Sequence, residues 1–172
     1  MPATLEQVRS RIARAEDGNR ALLGRFADQL FDKADPGFLD AFDPDALVAM
    51  ARGGLAFLDR RGGDAPAVEV LQPSFQADGW EGPFTVLRVT MRDRPFIVDS
   101  VRAELRRRDV ELLHLLHPIY RVTRGEDGRI AELAARGGGG TQEAFEMFFL
   151  ERLDDEDARE ELRAAVERVL GD

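Results

Sequence analysis

The stretch that decides the fold is FTVLRVTMRDRPFIVDSVRAELRRR, residues 84–108. Its first part, 84–91, is rich in β-branched and apolar side chains, which is typical of a β-strand. From residue 97 onward Ile97, Val98, Val101 and Leu105 recur at three- and four-residue spacing, which predicts an amphipathic helix over 97–108. The sequence therefore predicts a strand that passes into a helix through a short polar turn.

The sequence on both sides of this stretch predicts most of a ferredoxin-like βαββαβ unit. The order in the second half of the chain is strand, helix, strand, strand, helix, and the last strand of the unit is missing. If the chain stops there, one edge of the sheet is open to another copy. The GGGG run at 137–140 is expected to be a flexible loop. The further strands and the last helix are expected at 67–73, 110–124, 144–153 and 154–172, with a weak strand in IAELAAR at 130–136.

The first part of the chain predicts a layer of three helices, each with one apolar stripe. They are expected at about 4–15, at 19–33 and from Pro44 onward, with Asp43 as the N-cap of the third. The Gly- and Pro-rich segment 60–66 divides an N-terminal helical segment, 1–62, from an α+β domain, 67–172. Trp80 is expected to be a buried anchor between the two layers. The predicted fold class is α+β, with a helical layer followed by a sheet that has helices on one face.

Composition excludes several classes of function. Acidic residues number 33 against 24 basic ones, and the net charge of -9 repels nucleic acid and anionic membranes. The chain has no cysteine, so disulfides and thiolate metal sites are excluded and a reducing compartment is compatible. No stretch approaches the roughly 20 apolar residues of a membrane span. We therefore expect a cytoplasmic protein with no nucleic-acid or membrane partner.

The sequence gives no support for a catalytic or metal site. His114 and His117 lie three positions apart on a predicted strand, so they point to opposite faces and do not readily share a metal. Asp99 and Ser100 are adjacent on a helix and cannot form a proton relay, and a G-x-S-x-G nucleophile elbow is absent. We assign no catalytic residue and no metal ligand.

The motifs of the second two thirds of the chain resemble the N-terminal region of the large bacterial NAD-specific glutamate dehydrogenases. That pattern is a strand, the motif Asp-x-Pro-Phe-Leu-Val-Asp-Ser at the start of a helix, and a His-Pro in the next strand. Ile97 stands where the family usually has Leu. The residues that match are Asp93, Pro95, Phe96, Val98, Asp99, Ser100, His117 and Pro118.

The resemblance implies an ACT-like fold with a regulatory or assembly role in a large NAD-dependent dehydrogenase. The chain lacks the G-x-G-x-x-G motif of a dinucleotide-binding fold, so NAD would bind a separate catalytic domain and this chain would hold no cofactor. It would not be an enzyme by itself. Its expected partners are another copy of the chain or the catalytic region of the full-length enzyme, and possible effectors are small amino acids.

The residues around the turn are the candidates for ligand binding or domain contact. Asp93 is expected to accept hydrogen bonds from the first amides of the helix, and Pro95 to lie in its first turn. Phe96 stands where amino-acid-binding ACT domains commonly have Gly, so its ring is expected to fill or cover an anion site. The alternative function is therefore amino-acid binding at 93–100. The full candidate set is Asp93, Arg94, Pro95, Phe96, Asp99, Ser100 and His117, of which His117 is expected to bond on the side of Asp99 or Ser100.

Overall fold

The structure is a computed structural model, and it describes residues 3–60, 65–134 and 138–171. These residues form helices and a six-stranded sheet, which confirms the predicted α+β class. The helices are α1 Ala3–Ala13, α2 Arg20–Phe31, α3 Pro36–Asp40, α4 Pro44–Arg60, α5 Phe75–Asp78, α6 Ile97–Arg107 and α7 Glu156–Gly171. The strands are β1 Ala67–Leu71, β2 Thr85–Arg92, β3 Leu112–Leu116, β4 Ile119–Arg124, β5 Ile130–Ala134 and β6 Thr141–Leu150.

The sheet is antiparallel and has the strand order β1-β2-β6-β4-β5, with β3 also paired to β6. Leu116 of β3 lies opposite Met147, and Ile119 of β4 lies opposite Ala144, so the two strands continue one another in one register along β6. Pro118 interrupts the strand between them because it has no N–H to donate. The long bent strand predicted over 110–124 is therefore confirmed.

Helices cover both faces of the sheet. The helical layer, α1 to α4, packs on one face against a core that includes Phe145 and Phe149 of β6. Helices α6 and α7 pack on the opposite face, where Leu87 and Val89 of β2 are buried. The central strands β2 and β6 lie between the two layers and are buried along most of their length. This explains why both read as nearly continuous apolar runs rather than as alternating patterns.

Strand β1 takes the place of the strand that the sequence seemed to lack. In a βαββαβ unit the last strand lies beside the first, and here β1 pairs antiparallel with β2, with Val68 opposite Val89. Helix α7 packs against β1. As the sequence predicted, no strand follows α7 in the described residues; the segment that precedes the unit folds back as a hairpin and fills the position beside β2.

The helical layer contains one helix more than the sequence analysis expected. The expected cap of α4 is confirmed, since the Asp43 carboxylate accepts a hydrogen bond from the N–H of Asp45 at 3.1 Å. The short helix α3 begins in the same way, with the Asp35 carboxylate 3.2 Å from the N–H of Phe38. Trp80 is 3% exposed and packs against rings of both layers, which confirms its role as an anchor.

The connection from β5 to β6 crosses the sheet, because these strands lie on opposite sides of β4. Gly140 crosses close to the backbone of β4 with a φ of 108°. A Cβ on Gly140 would lie 3.0 Å from the carbonyl oxygen of Val122. The GGGG run was predicted to be a flexible loop, and its described residues 138–140 form neither helix nor strand; Gly137 lies outside the described residues.

None of the helices in the described ranges combines the length and the apolar character needed to cross a membrane.

Candidate site at the strand-to-helix turn

The turn between β2 and α6 is fixed at two points. The N–H of Asp93 donates to the carbonyl of Gln142 at 2.9 Å, which extends the pairing of β2 with β6 by one residue. The guanidinium of Arg94 donates to the carbonyl of Leu170 at 2.6 Å, in the last turn of α7. A cation is favourable there because the carbonyls at a helix C-terminus are unpaired and carry partial negative charge. The turn is therefore held by both the sheet and the second helix of its face.

Helix α6 begins without a side-chain cap. Its N-cap residue is Phe96, and the N–H of Ser100 makes the first helical hydrogen bond, to the carbonyl of Phe96 at 2.9 Å. The expectations that Asp93 caps the helix and that Pro95 lies in its first turn are both wrong. Asp93 is still held by the strand, and Pro95 lies in the turn before the helix starts.

Phe96 has an unusual backbone and an exposed ring. Its φ of 71° and ψ of 17° lie in the left-handed region, which is unfavourable for a bulky side chain. The ring is 74% exposed and is therefore not packed into the core; that it fills or covers an anion site at the start of α6 stays a prediction. A strained conformation that exposes an aromatic ring is typical of a functional contact rather than of core packing.

The other candidates of the turn do not form one cluster. Asp99 is exposed in the first turn of α6, where a carboxylate is favourable to the helix dipole, and Ser100 is half-buried. His117 is exposed at the junction of β3 and β4, and among the described residues it makes no hydrogen bond to Asp99 or Ser100. The expected contact of His117 with that side of the turn is therefore not present.

The two histidines have different environments. His114 stacks on Phe38 of the helical layer, with ring centroids 3.9 Å apart. Burial lowers the pKa of His114 below its usual value, while Asp35 opposes the shift. In the ranges that the structure covers, no three His, Asp or Glu side chains are arranged to hold a metal ion.

Glu146 is the residue that the sequence analysis missed. It lies in the middle of β6, is 4% exposed, and its Oε1 has no hydrogen-bond partner. Burial, with a smaller contribution from the charge of Asp93, raises the pKa of Glu146 to about 8. The two-residue period of the strand could have indicated that Glu146 is buried, because it places Glu146 on the same face as the apolar residues Ala144 and Phe148.

A groove of about 610 Å³ lies between the helical layer and the β3–β4 junction. His117, Ile119 and Arg121 line it from the strands, and Lys33 lines it from the end of α2. It also borders Ala134, the last described residue before 135–137.

An antiparallel α+β sheet with two helices on one face, and a turn fixed between its first long strand and the helix that follows, define a domain of the ACT type. The chain matches the family described as "Glutamate dehydrogenase, ACT1 domain" over residues 26–166, and it belongs to this family. The match begins inside α2, so it includes part of the helical layer as well as the sheet.

Two relatives carry the name NAD-specific glutamate dehydrogenase. The one from Pseudomonas aeruginosa is 31% identical over 160 residues, which cover 90% of this chain and 10% of the relative. The one from Halomonas elongata is 32% identical over 117 residues, which cover 66% of this chain and 7% of the relative. The chain thus spans a tenth or less of the relatives that it matches. No solved structure is significantly similar to it.

Proposed function

We propose that this chain is the N-terminal regulatory and assembly domain of a large NAD-dependent glutamate dehydrogenase and has no catalytic activity by itself. The observation that supports this most directly is the family match together with the small share of the relatives that the chain covers. In this proposal NAD and glutamate bind other parts of the full-length enzyme, which works in the cytoplasm. The absence of cysteine suits that compartment.

The proposed contact surface includes exposed apolar residues around the turn and the β3–β4 strand. Phe96 is 74% exposed, Leu113 is 49% exposed and Ile119 is 48% exposed. Of the three, Phe96 is the main candidate, because aromatic residues often dominate the energy of protein contacts. The proposed partner is another copy of this chain or the remainder of the enzyme.

Light scattering of the purified chain, alone and with the separately expressed remainder of the enzyme, tests this proposal. We expect association that Phe96→Ser weakens. Phe75→Ser is the matched control, because Phe75 is 70% exposed on α5 and is not part of the proposed surface. A chain that stays monomeric and does not bind the remainder would contradict the assembly role. Turnover of glutamate with NAD by the purified chain would contradict its non-catalytic assignment.

A second candidate function is the binding of a small amino-acid effector at 93–100. It is favoured by the first turn of α6, which has no side-chain cap. Amides at a helix start bind anionic groups such as a carboxylate. Calorimetric titration with L-glutamate, repeated with Phe96→Gly, tests it. Binding by the natural chain supports an effector site, and no heat from either protein contradicts one.

A further inference from the structure

The sheet has an open edge where β3 continues into β4. Among the described strands, β3 pairs only with β6, and β5 lies beside β4 only as far as Arg121, which is opposite Ala134. No described strand therefore lies beside residues 115–119 on the side away from β6. An unpaired strand edge offers its N–H and C=O groups to a strand from another segment.

The register shows which backbone groups point outward from this edge. The N–H of Phe145 donates to the carbonyl of Pro118 at 3.1 Å, so the backbone of residue 118 faces β6. Successive residues of an antiparallel strand face opposite neighbours. The N–H and C=O groups of Leu115, His117 and Ile119 therefore point away from β6, and an added strand could pair with all three residues.

This edge opens into the groove of about 610 Å³ that lies beside the helical layer. Leu115, His117 and Ile119 line the groove from the edge, and Leu30 and Lys33 line it from the end of α2. Ile119 is 48% exposed. A segment that paired with the edge would therefore also contact side chains of the helical layer and would cover Ile119.

The charges of the groove indicate the chemistry of such a segment. Lys33 and Arg121 line the groove, and neither forms an ion pair within the described ranges, although the whole chain carries a net charge of -9. Arg9 and Asp28 neutralise each other at 2.7 Å, which leaves Asp32 as the other acid of the described lining. An acidic segment would complement the two unpaired cations, whereas the same edge of a second copy would bring two more cations.

We propose that an extended acidic segment from the remainder of the enzyme adds to this edge as a further strand beside residues 115–119. This inference rests on the proposed assembly role and names the backbone edge that makes the contact. The chain spans a tenth or less of its relatives, so most of such an enzyme lies outside these residues and can supply the segment. The outward backbone groups give affinity, and Lys33 and Arg121 select acidic side chains.

Hydrogen exchange of the backbone amides tests the strand pairing. Residue-resolved mass spectrometry is used to compare the isolated chain with the full-length enzyme. We expect the amides of Leu115, His117 and Ile119 to exchange rapidly in the isolated chain and about tenfold or more slowly in the enzyme. The amide of Leu116 is the internal control, because it faces β6 and should exchange slowly in both proteins.

Two substitutions of His117 separate the backbone contact from the side chain. His117→Pro removes one outward N–H and leaves the bonds to β6, which the neighbouring residues make. His117→Ala removes the exposed imidazole but keeps the N–H. We expect the separately expressed remainder of the enzyme to bind His117→Pro about tenfold more weakly than the natural chain, and His117→Ala within about threefold of it. Equal affinities for the two variants overturn the inference.

A charge variant tests the acidic character of the segment. Lys33→Gln combined with Arg121→Gln should weaken binding of the remainder by about fivefold or more. Arg25→Gln combined with Arg102→Gln is the matched control, because both residues are exposed outside the groove and the change in net charge is the same. Equal affinities for the two double variants overturn the acidic character of the segment.

The outcomes distinguish this inference from the assembly role. If the chain binds the remainder while the outward amides still exchange rapidly in the enzyme, the inference is wrong and the assembly role stands. If the chain does not bind the remainder, both are wrong. Slow exchange of the outward amides in the isolated chain, together with a dimer in light scattering, would mean that a second copy occupies the edge and would also overturn the inference.

Discussion

At the scale of single residues, Phe96 combines a strained backbone with an exposed aromatic ring. An aromatic residue in the left-handed region is strained by about 1–2 kcal/mol relative to the ordinary helical region, and its exposed ring gains little from packing. The strain persists because Asp93 and Arg94 fix the turn on one side and α6 fixes it on the other. In the proposed assembly role, the strained backbone would hold the ring in position for a contact outside the domain.

Phe96→Gly is therefore expected to stabilise the isolated chain although it removes a large apolar side chain. Glycine adopts a positive φ without steric strain, and after its greater freedom in the unfolded chain is subtracted, the net gain is about 0.5–1 kcal/mol. Urea denaturation of the variant and the natural chain measures this difference in the free energy of unfolding. Phe96→Ala removes the ring but retains the strained Cβ, and should leave the free energy of unfolding within about 0.5 kcal/mol of the natural value. A loss above about 1 kcal/mol in Phe96→Gly would mean that the ring packs against the domain.

Glu146 predicts a pH dependence of stability with a definite sign. Burial raises the pKa of Glu146 from its ordinary value of 4.5 to about 8, so the folded chain retains a proton that the unfolded chain loses. Its contribution to stability is complete below about pH 4.5, falls as the pH rises towards 8, and is constant above that. The slope is at most about 1.4 kcal/mol per pH unit.

Glu146→Gln removes this titration and leaves the side-chain shape unchanged. The difference in melting temperature between the variant and the natural chain should be near zero at pH 4.5 and should grow in favour of the variant up to pH 8. Thermal denaturation of both proteins across that range measures the difference, in which the titration of all other groups cancels. Parallel curves would show that the carboxyl is ionised in the folded chain and has found a partner.

At the scale of the elements, the crossing of β5 to β6 depends on one glycine. Gly140 has a φ of 108°, and an added Cβ would lie within 3.1 Å of the Val122 backbone, which cannot move without disturbing β4. Gly140→Ala should therefore lower the free energy of unfolding by about 2–3 kcal/mol. Gly139→Ala is the matched control, because nothing lies within 4 Å of its added Cβ. Equal urea midpoints for the two variants would contradict the close approach.

The elements also show what the sequence could and could not predict. The sequence predicted the elements whose patterns are local. These are the helices α2, α4 and α6, each with an apolar stripe, and the strands β2 and β6, each with an apolar run. The α3 helix was missed although Asp35-Pro36 repeats the Asp43-Pro44 signal that identified α4, since the segment was interpreted only as the end of α2. The position of β1 beside β2 could not be predicted, because strand pairing depends on contacts between distant residues that no periodicity encodes. For the same reason the sequence could not predict that Asp93 of the turn bonds to Gln142 of β6.

At the scale of the whole molecule, the sheet is shared by two cores. The core on one face combines β4 and β6 with the helical layer; Phe26 of α2, for example, stacks on Tyr120 of β4 with ring centroids 4.7 Å apart. The buried hydroxyl of Tyr120 also donates to the carbonyl of Phe26 at 2.7 Å. The sequence-based division into 1–62 and 67–172 remains a prediction, and its boundary falls at residues outside the described ranges.

These contacts predict that the chain unfolds in one cooperative transition. Removal of the helical layer would expose Phe145, Met147 and Phe149, which are at most 1% exposed, so the fragment 67–172 should aggregate rather than fold. Trp80 is the only tryptophan of the chain and contacts Phe42 of the layer and Phe149 of the sheet, so its fluorescence reports their separation. Its urea transition should coincide with that of the far-ultraviolet circular dichroism. A tryptophan transition that precedes the loss of sheet structure, together with a soluble folded fragment, would instead mean that the helical layer is a separate unit docked on an independent ACT-like domain.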